Sequence, residues 1–280
     1  MMIMKRSSVA AAAALAVTLS LPVTAQASGH PAAPDPAVPQ VLPIGVAVSA
    51  LPIEVENRTG YQRIFFRHWN AGDVPADGCN TRAEVLLAEA IVYPEIGPAC
   101  TLTGGVWWSY YDEREVTPAG ALDIDHMVPL AEAGDSGASA WTPARREAYA
   151  NDQGQPASLV AVTARSNRSK ADQDPAEWLP PAPDALCRYG AEWTATKLRW
   201  GLAVDEMERD RLLDIAAGCG GTEVEFTPAP VDRQRASGAA AATGGAVPSS
   251  RWRTASPACT QGSQHRAGGM FGAPCPLYPG

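Results

Sequence analysis

Leu122-Asp123-Ile124-Asp125-His126-Met127-Val128-Pro129-Leu130, followed downstream by Ser158-Leu159-Val160-Ala161-Val162-Thr163-Ala164-Arg165-Ser166-Asn167-Arg168-Ser169-Lys170, decides how this chain is read. Ser158–Ala164 is a short apolar run rich in β-branched residues and reads as a strand. Ala121–Leu130 is mostly apolar and is interrupted by Pro129, so an extended segment is expected there. A helical turn is expected to open at Ser166 or Asn167. Asp125 beside His126 places a hard oxygen ligand and an imidazole on one short segment. Divalent ions such as Mg²⁺ prefer carboxylate and amide oxygens, so Asn167 is the natural second ligand. His126 then stays off the metal as a general base, since imidazole titrates near neutrality.

Working outward, the N-terminus reads as an export signal. Lys5 and Arg6 precede an apolar run from Val9 to Leu21, and Ala25-Gln26-Ala27 supplies a cleavage site, so a signal peptide is expected over residues 1–27. That run is too short to cross a hydrocarbon core needing ~20 residues, so no stable membrane association is expected after cleavage. A secreted, extracellular chain favours disulfides over thiolate chemistry for Cys79, Cys100, Cys187, Cys219, Cys259 and Cys275. Six cysteines allow many pairings; their grouping favours Cys79 with Cys100, Cys187 with Cys219, and Cys259 with Cys275.

Composition divides the rest. Residues 28–56 are Pro-rich without a basic residue and are expected to form a linker. Residues 57–226 carry most of the aromatic residues and the helix signals, and form the expected domain. Residues 227–280 form a Gly/Ala/Pro-rich basic tail with the small Cys259/Cys275 loop. Within the domain, Thr81 and Glu84 suggest a capping box, with helix continuing to Val92. Strand is expected over Val106–Tyr111, helix from Thr142-Pro143 to Ala150, a further helical start at Asp174, and a terminal helical pair over Cys187–Trp200 and Asp205–Ala217. Trp107, Trp108, Trp178, Trp193 and Trp200 read as packing, Arg145 and Arg146 as a solvated face, and His68 as structural.

The string D-H-x-x-P-L, a strand, then N-R-S-K resembles an HNH endonuclease. The nearer resemblance is to small secreted actinobacterial HNH proteins related to the C-terminal domain of GmrSD-type restriction enzymes. Further strings carry it: Gly78-Cys79-Asn80-Thr81-Arg82-Ala83-Glu84-Val85-Leu86, Ser136-Gly137-Ala138-Ser139-Ala140-Trp141, and Asn167 through Pro180. The resemblance implies an α+β fold with a ββα-metal core, additional helices and disulfide stabilisation. It implies His126 as general base and one divalent metal, Mg²⁺ first and Mn²⁺ or another ion as alternatives, on Asp125 and Asn167. Lys170 is implied as a catalytic residue touching a phosphate, and Arg82, Arg165 and Arg168 as further phosphate contacts. The family's middle Asn, which orients the histidine, has no direct match: Ser158 stands just before the second strand, and the role is assigned to the nearest asparagine, Asn151.

The expected function is therefore metal-dependent hydrolysis of DNA phosphodiester bonds, with DNA as substrate and no protein partner inferred. A non-catalytic extracellular binding module on the same fold, and an RNase, are the alternatives. The chain's formal net charge of −8, from 22 basic and 30 acidic residues, counts against a generic nucleic-acid binder. The charge is uneven, however. Residues 57–226 hold 15 basic and 26 acidic residues, whereas residues 145–170 hold five basic against two acidic. An acidic domain with cations gathered at one site fits transient, salt-sensitive engagement rather than tight storage on DNA.

Overall fold

The computed structural model describes residues 38–230. The expected signal peptide and the tail with its Cys259/Cys275 loop lie outside the described residues. The first elements are β1 (Gln40–Pro43), α1 (Ile44–Ser49) and α2 (Thr81–Ala88), followed by the short strands β2 (Glu95–Ile96), β3 (Leu102–Thr103), β4 (Trp107–Ser109) and β5 (Arg114–Val116). Then come β6 (Leu122–His126), α3 (Leu130–Asp135), α4 (Pro143–Ala150), β7 (Leu159–Thr163) and α5 (Ala164–Lys170). The closing elements are α6 (Leu186–Trp200), α7 (Glu206–Gly218) and β8 (Glu223–Phe226). The result is mixed α+β, with four two-stranded antiparallel sheets: β1–β8, β2–β3, β4–β5 and β6–β7.

The stretch expected to be a linker over residues 28–56 belongs to the fold from Gln40 onward. β1 pairs with β8, and Ile44, Ala47, Val48 and Leu51 are buried against the terminal helices. Their spacing is that of one helix face. The prolines hid it: Pro43 stands at the N-cap of α1, where a missing N–H breaks no helical bond.

β6 and β7 pair in the register Leu122↔Thr163 through His126↔Leu159, and α5 follows β7 without a loop. Both faces of this hairpin are covered. Val160 and Val162 enter the main core with Met127, Tyr189 and Trp193, while Leu122, Ile124, Leu159 and Ala161 pack with Val85, Leu86 and Trp107 in a second cluster. Burial on both faces explains why Leu159–Val162 is an unbroken apolar run instead of an alternating one.

Local signals succeed where the polar group has only backbone to meet. Thr142 caps α4 through Arg145 N, with Pro143 at the first helical position. Asp205 caps α7 by accepting from Glu208 N at 2.7 Å. Tertiary partners override them elsewhere. Asn80, not Thr81, caps α2, and Glu84 accepts from Asp73 N and Val74 N rather than closing a capping box. α2 also ends at Ala88, short of Val92. Thr163 caps α5, which therefore starts at Ala164, before the expected Ser166. Asp174 closes a turn on Ala176 N and Glu177 N with no helix beyond it. Arg145 and Arg146 are not a solvated face: they donate to the carbonyls of Trp200 and Trp141, and Arg145 stacks over the Trp141 ring. Trp108 is exposed, in contrast to its fully buried neighbour Trp107.

Two disulfides, Cys79–Cys100 and Cys187–Cys219, close the second cluster and the α6–α7 pair. Beneath that pair lies a buried cation. Lys197 Nζ donates to Glu132 Oε1 at 2.8 Å, Glu208 Oε2 at 2.7 Å, Ser136 Oγ at 2.9 Å and the Ala203 carbonyl at 2.7 Å, tying α3, α6 and α7 together. Lys197 holds Glu132 below the usual carboxylate range, whereas burial pushes Glu208 up to about 8.

Removing one partner from such a buried pair leaves the Glu132 charge stranded, so Lys197→Met is expected to cost ~3–5 kcal/mol in urea unfolding. A loss within error of zero would contradict the assignment. The raised Glu208 pKa has a definite sign. The folded state binds this proton more tightly than the unfolded chain, so its contribution is complete below about 4.5 and is lost as pH rises through about 8. Melting temperatures of the wild type are therefore expected to fall more between pH 5 and pH 8 than those of Glu208→Gln; parallel trends would remove Glu208 as the cause.

Candidate active site

Side chains alternate along a strand, so Asp125 and His126 leave β6 on opposite faces. Both still line one cleft of about 250 Å³, together with Ile124, Pro129, Asn167 and Arg168. β6 pairs with β7 along one edge only. The cleft is built from its last residues, where side chains from either face converge.

His126 is almost fully buried. Its Nε2 lies 2.9 Å from the Ala150 carbonyl. A carbonyl only accepts, so Nε2 carries the proton and the neutral ring keeps an unprotonated Nδ1. Trp69 stacks on the ring at 5.3 Å and 27°, and His68 meets it edge-on at 5.9 Å. Burial lowers the His126 pKa to about 3, outweighing the opposing bond to Ala150.

Asn151 does not touch this ring. It follows Ala150 directly and pins that carbonyl in place: its Oδ1 accepts from Asn70 N and Thr81 Oγ1, both at 3.0 Å. Its Nδ2 donates to the carbonyls of Arg67 and Glu147, both at 2.8 Å. Two of these bonds, to Asn70 N and the Arg67 carbonyl, fix the Arg67–Asn70 segment that carries Trp69 over His126. Asn151 thus acts on the histidine through backbone. Ser158 serves a different end, donating to Asp152 Oδ2 at 2.6 Å.

The structure corrects the expectation for Lys170. Its side chain has no exposure, and its ammonium donates to Asp125 Oδ2 at 2.5 Å, the His126 carbonyl at 3.1 Å and the Met127 carbonyl at 2.8 Å. All three donors are spent inside the protein, so none is left for a phosphate. Tyr111 Oη donates to the same Asp125 Oδ2 at 2.6 Å. Burial raises the Asp125 pKa and lowers that of Lys170, each toward its neutral form, against the mutual attraction of the pair.

The arginines separate. Arg82 donates to the Leu122 carbonyl at 2.9 Å and clamps the start of β6, so it is a structural contact and not the expected phosphate ligand. Arg168 lines the cleft but pairs with Asp123 at 3.3 Å. Arg165 faces away into a second cleft. Sequence reasoning missed Asp123, Arg63, Trp69 and Tyr111. The spacing D-x-D-H does place Asp123 on the face of Asp125, but nothing local announces Arg63 or Trp69, which reach the cleft from a distant loop.

A divalent ion suits the oxygens present. Asp125 Oδ2 is occupied by Tyr111 and Lys170, leaving Oδ1 without a hydrogen bond among the described residues. Asn167 spends its Nδ2 on Asp123 Oδ2 at 3.3 Å, which leaves its Oδ1 lone pairs unused. Two hard oxygens therefore line the cleft that also holds His126. Among the described residues, closer carboxylate groupings occur only around Glu56, with Glu132 and Asp135 or with Asp174 and Glu208. Of those acids, Glu132 and Glu208 are countered by Lys197 and Asp135 by Arg58, whereas Glu56 and Asp174 have no ion pair among the described residues.

Residues 100–215 match the family model described as the C-terminal domain of GmrSD restriction endonucleases. An uncharacterized secreted protein of Arthroderma benhamiae is 35% identical over 199 residues, covering 70% of this chain and 95% of that protein. No solved structure matches.

The His126 geometry predicts its spectroscopy. In ¹⁵N–¹H spectra the ring is expected to remain the Nε2–H tautomer, without titrating, between pH 5 and pH 8. A midpoint near the ordinary value of 6.5 would contradict the dominance of burial over the bond to Ala150.

Proposed function

Because the chain belongs to one family with the secreted fungal protein, and its middle is similar to the GmrSD C-terminal domain, we propose that it is a metal-dependent endonuclease acting on DNA. The protein is secreted, in keeping with its export signal and two disulfides. In this reading β6, β7 and α5 are the ββα-metal core of an HNH enzyme. The observation that carries it is a buried histidine whose Nε2 is committed to Ala150, so that only Nδ1 is left for proton transfer, in the cleft lined by Asp125 and Asn167.

His126 Nδ1 takes a proton from a water in the cleft as that water's oxygen bonds to phosphorus, and the opposite P–O bond breaks to release the leaving oxygen. Burial disfavours the charged ring, so Nδ1 is unprotonated before the water is deprotonated. Trp69 and Asn151 hold its plane. Arg63, exposed at the rim, neutralises a non-bridging oxygen. A divalent ion on Asp125 and Asn167, Mg²⁺ or Mn²⁺, would stabilise the charge developing on the phosphorane and leaving oxygen.

The test is plasmid cleavage by purified mature protein with Mg²⁺ or Mn²⁺, with and without EDTA. Cutting is expected to need the metal and to fall roughly 10²- to 10⁴-fold in His126→Ala, the usual worth of a general base. Undiminished cutting by that variant would overturn the mechanism. RNA cut in preference to DNA would move the assignment to an RNase, and no cutting with any metal would leave a binding module.

A further inference from the structure

α5 is a ridge between two clefts. Asn167 and Arg168 face the candidate active site, whereas Arg165, Ser166 and Ser169 line a larger cleft of about 570 Å³ on the other side. Arg165 and Ser169 are one turn apart and share that face. Arg114, the first residue of β5, and Trp178 line the same cleft.

Most other cations in the domain are already engaged, Arg63 and Arg211 being exceptions. Arg58, Arg168 and Arg199 are ion-paired, and Arg82 and Arg146 are spent on backbone carbonyls. Arg114 and Arg165 are exposed and have no ion-pair partner among the described residues. The adjacent Asp112 offers them little, because Ser109 Oγ donates to its Oδ1 at 2.5 Å and Thr163 Oγ1 to its Oδ2 at 2.8 Å. Glu113 is the exposed acid at the mouth, so Arg114 and Arg165 share the cleft with two carboxylates without forming an ion pair with either among the described residues. Trp178 is half-buried: it packs against Tyr111 at 5.3 Å and Tyr189 at 5.8 Å, and its Nε1 donates to Ser169 Oγ at 3.2 Å. An indole anchored in this way presents a fixed aromatic surface at little entropic cost.

Two unpaired guanidiniums beside an anchored indole match the repeating unit of a nucleic-acid strand, a phosphate next to a base. We propose that this cleft is a nucleotide subsite, where Arg114 and Arg165 hold a phosphate of single-stranded DNA flanking the cleaved bond and Trp178 stacks a neighbouring base. The substrate class rests on the endonuclease reading. α5 separates the two clefts, so the subsite holds a phosphate other than the scissile one.

Binding tests this without relying on turnover. In the His126→Ala background, with EDTA, fluorescence anisotropy of a labelled single strand of about 12 nucleotides gives Kd against salt. Replacing both arginines (Arg114→Gln with Arg165→Gln) is expected to weaken binding about tenfold and to flatten the slope of log Kd against log salt by about 0.7, the value for one phosphate contact on a single strand. Arg211→Gln, an exposed arginine on α7, controls for bulk charge and is expected to change neither. An unchanged slope, or an equal loss from Arg211→Gln, would overturn the subsite. Plasmid cutting that persists alongside such a result would leave the endonuclease reading standing. Failure of the cutting test with the slope change present would instead leave a strand-binding cleft without the chemistry.

Discussion

Lys170 carries a positive charge into a place with no water, and the site is arranged around keeping it there. An isolated buried ammonium is far too costly to persist, so each of its protons needs an acceptor. Asp125 supplies one and the carbonyls of His126 and Met127 supply the others. Those three acceptors come from consecutive residues at the end of β6, and the lysine is the last residue of α5. One side chain therefore locks helix to strand where the candidate chemistry is placed. It also orients the Asp125 carboxylate with one oxygen held and the other spared.

The second constraint acts on the opposite face. His126 is positioned by a backbone carbonyl, and that carbonyl is positioned by Asn151, whose side chain bonds to four groups from three separate stretches of chain. The arrangement divides the labour: Lys170 and Tyr111 define the oxygen side of the cleft, while Asn151 and Trp69 define the imidazole side. Burial favours the neutral ring, and the bond to Ala150 leaves Nδ1 as its unprotonated nitrogen.

Much of this was legible in the residues. The apolar run at Leu159–Val162, the Thr142-Pro143 helix start and the Asp205 cap are local signals, and local physics decides them. Asp125, His126 and Asn167 were singled out because their chemistry is rare at that spacing, and the fold brings them to one cleft. Lys170 was misread for a physical reason: helical spacing put it one turn from Asn167, but spacing does not reveal that this face of α5 turns inward. The N-terminal segment was misread because counting prolines obscures the period of Ile44, Ala47, Val48 and Leu51. Arg63 and Trp69 carried no local signal at all, since their place is set by Asn151 across a long sequence separation.

The central claim is that Asp125 and Asn167 offer their spare oxygens to one divalent ion while His126 stays off it. Anomalous diffraction from crystals grown with Mn²⁺ tests this directly. One manganese peak per chain is expected between the Asp125 carboxylate and the Asn167 amide oxygen, with His126 Nε2 still on the Ala150 carbonyl. No peak in this cleft, or a manganese ligated by His126, would contradict the account.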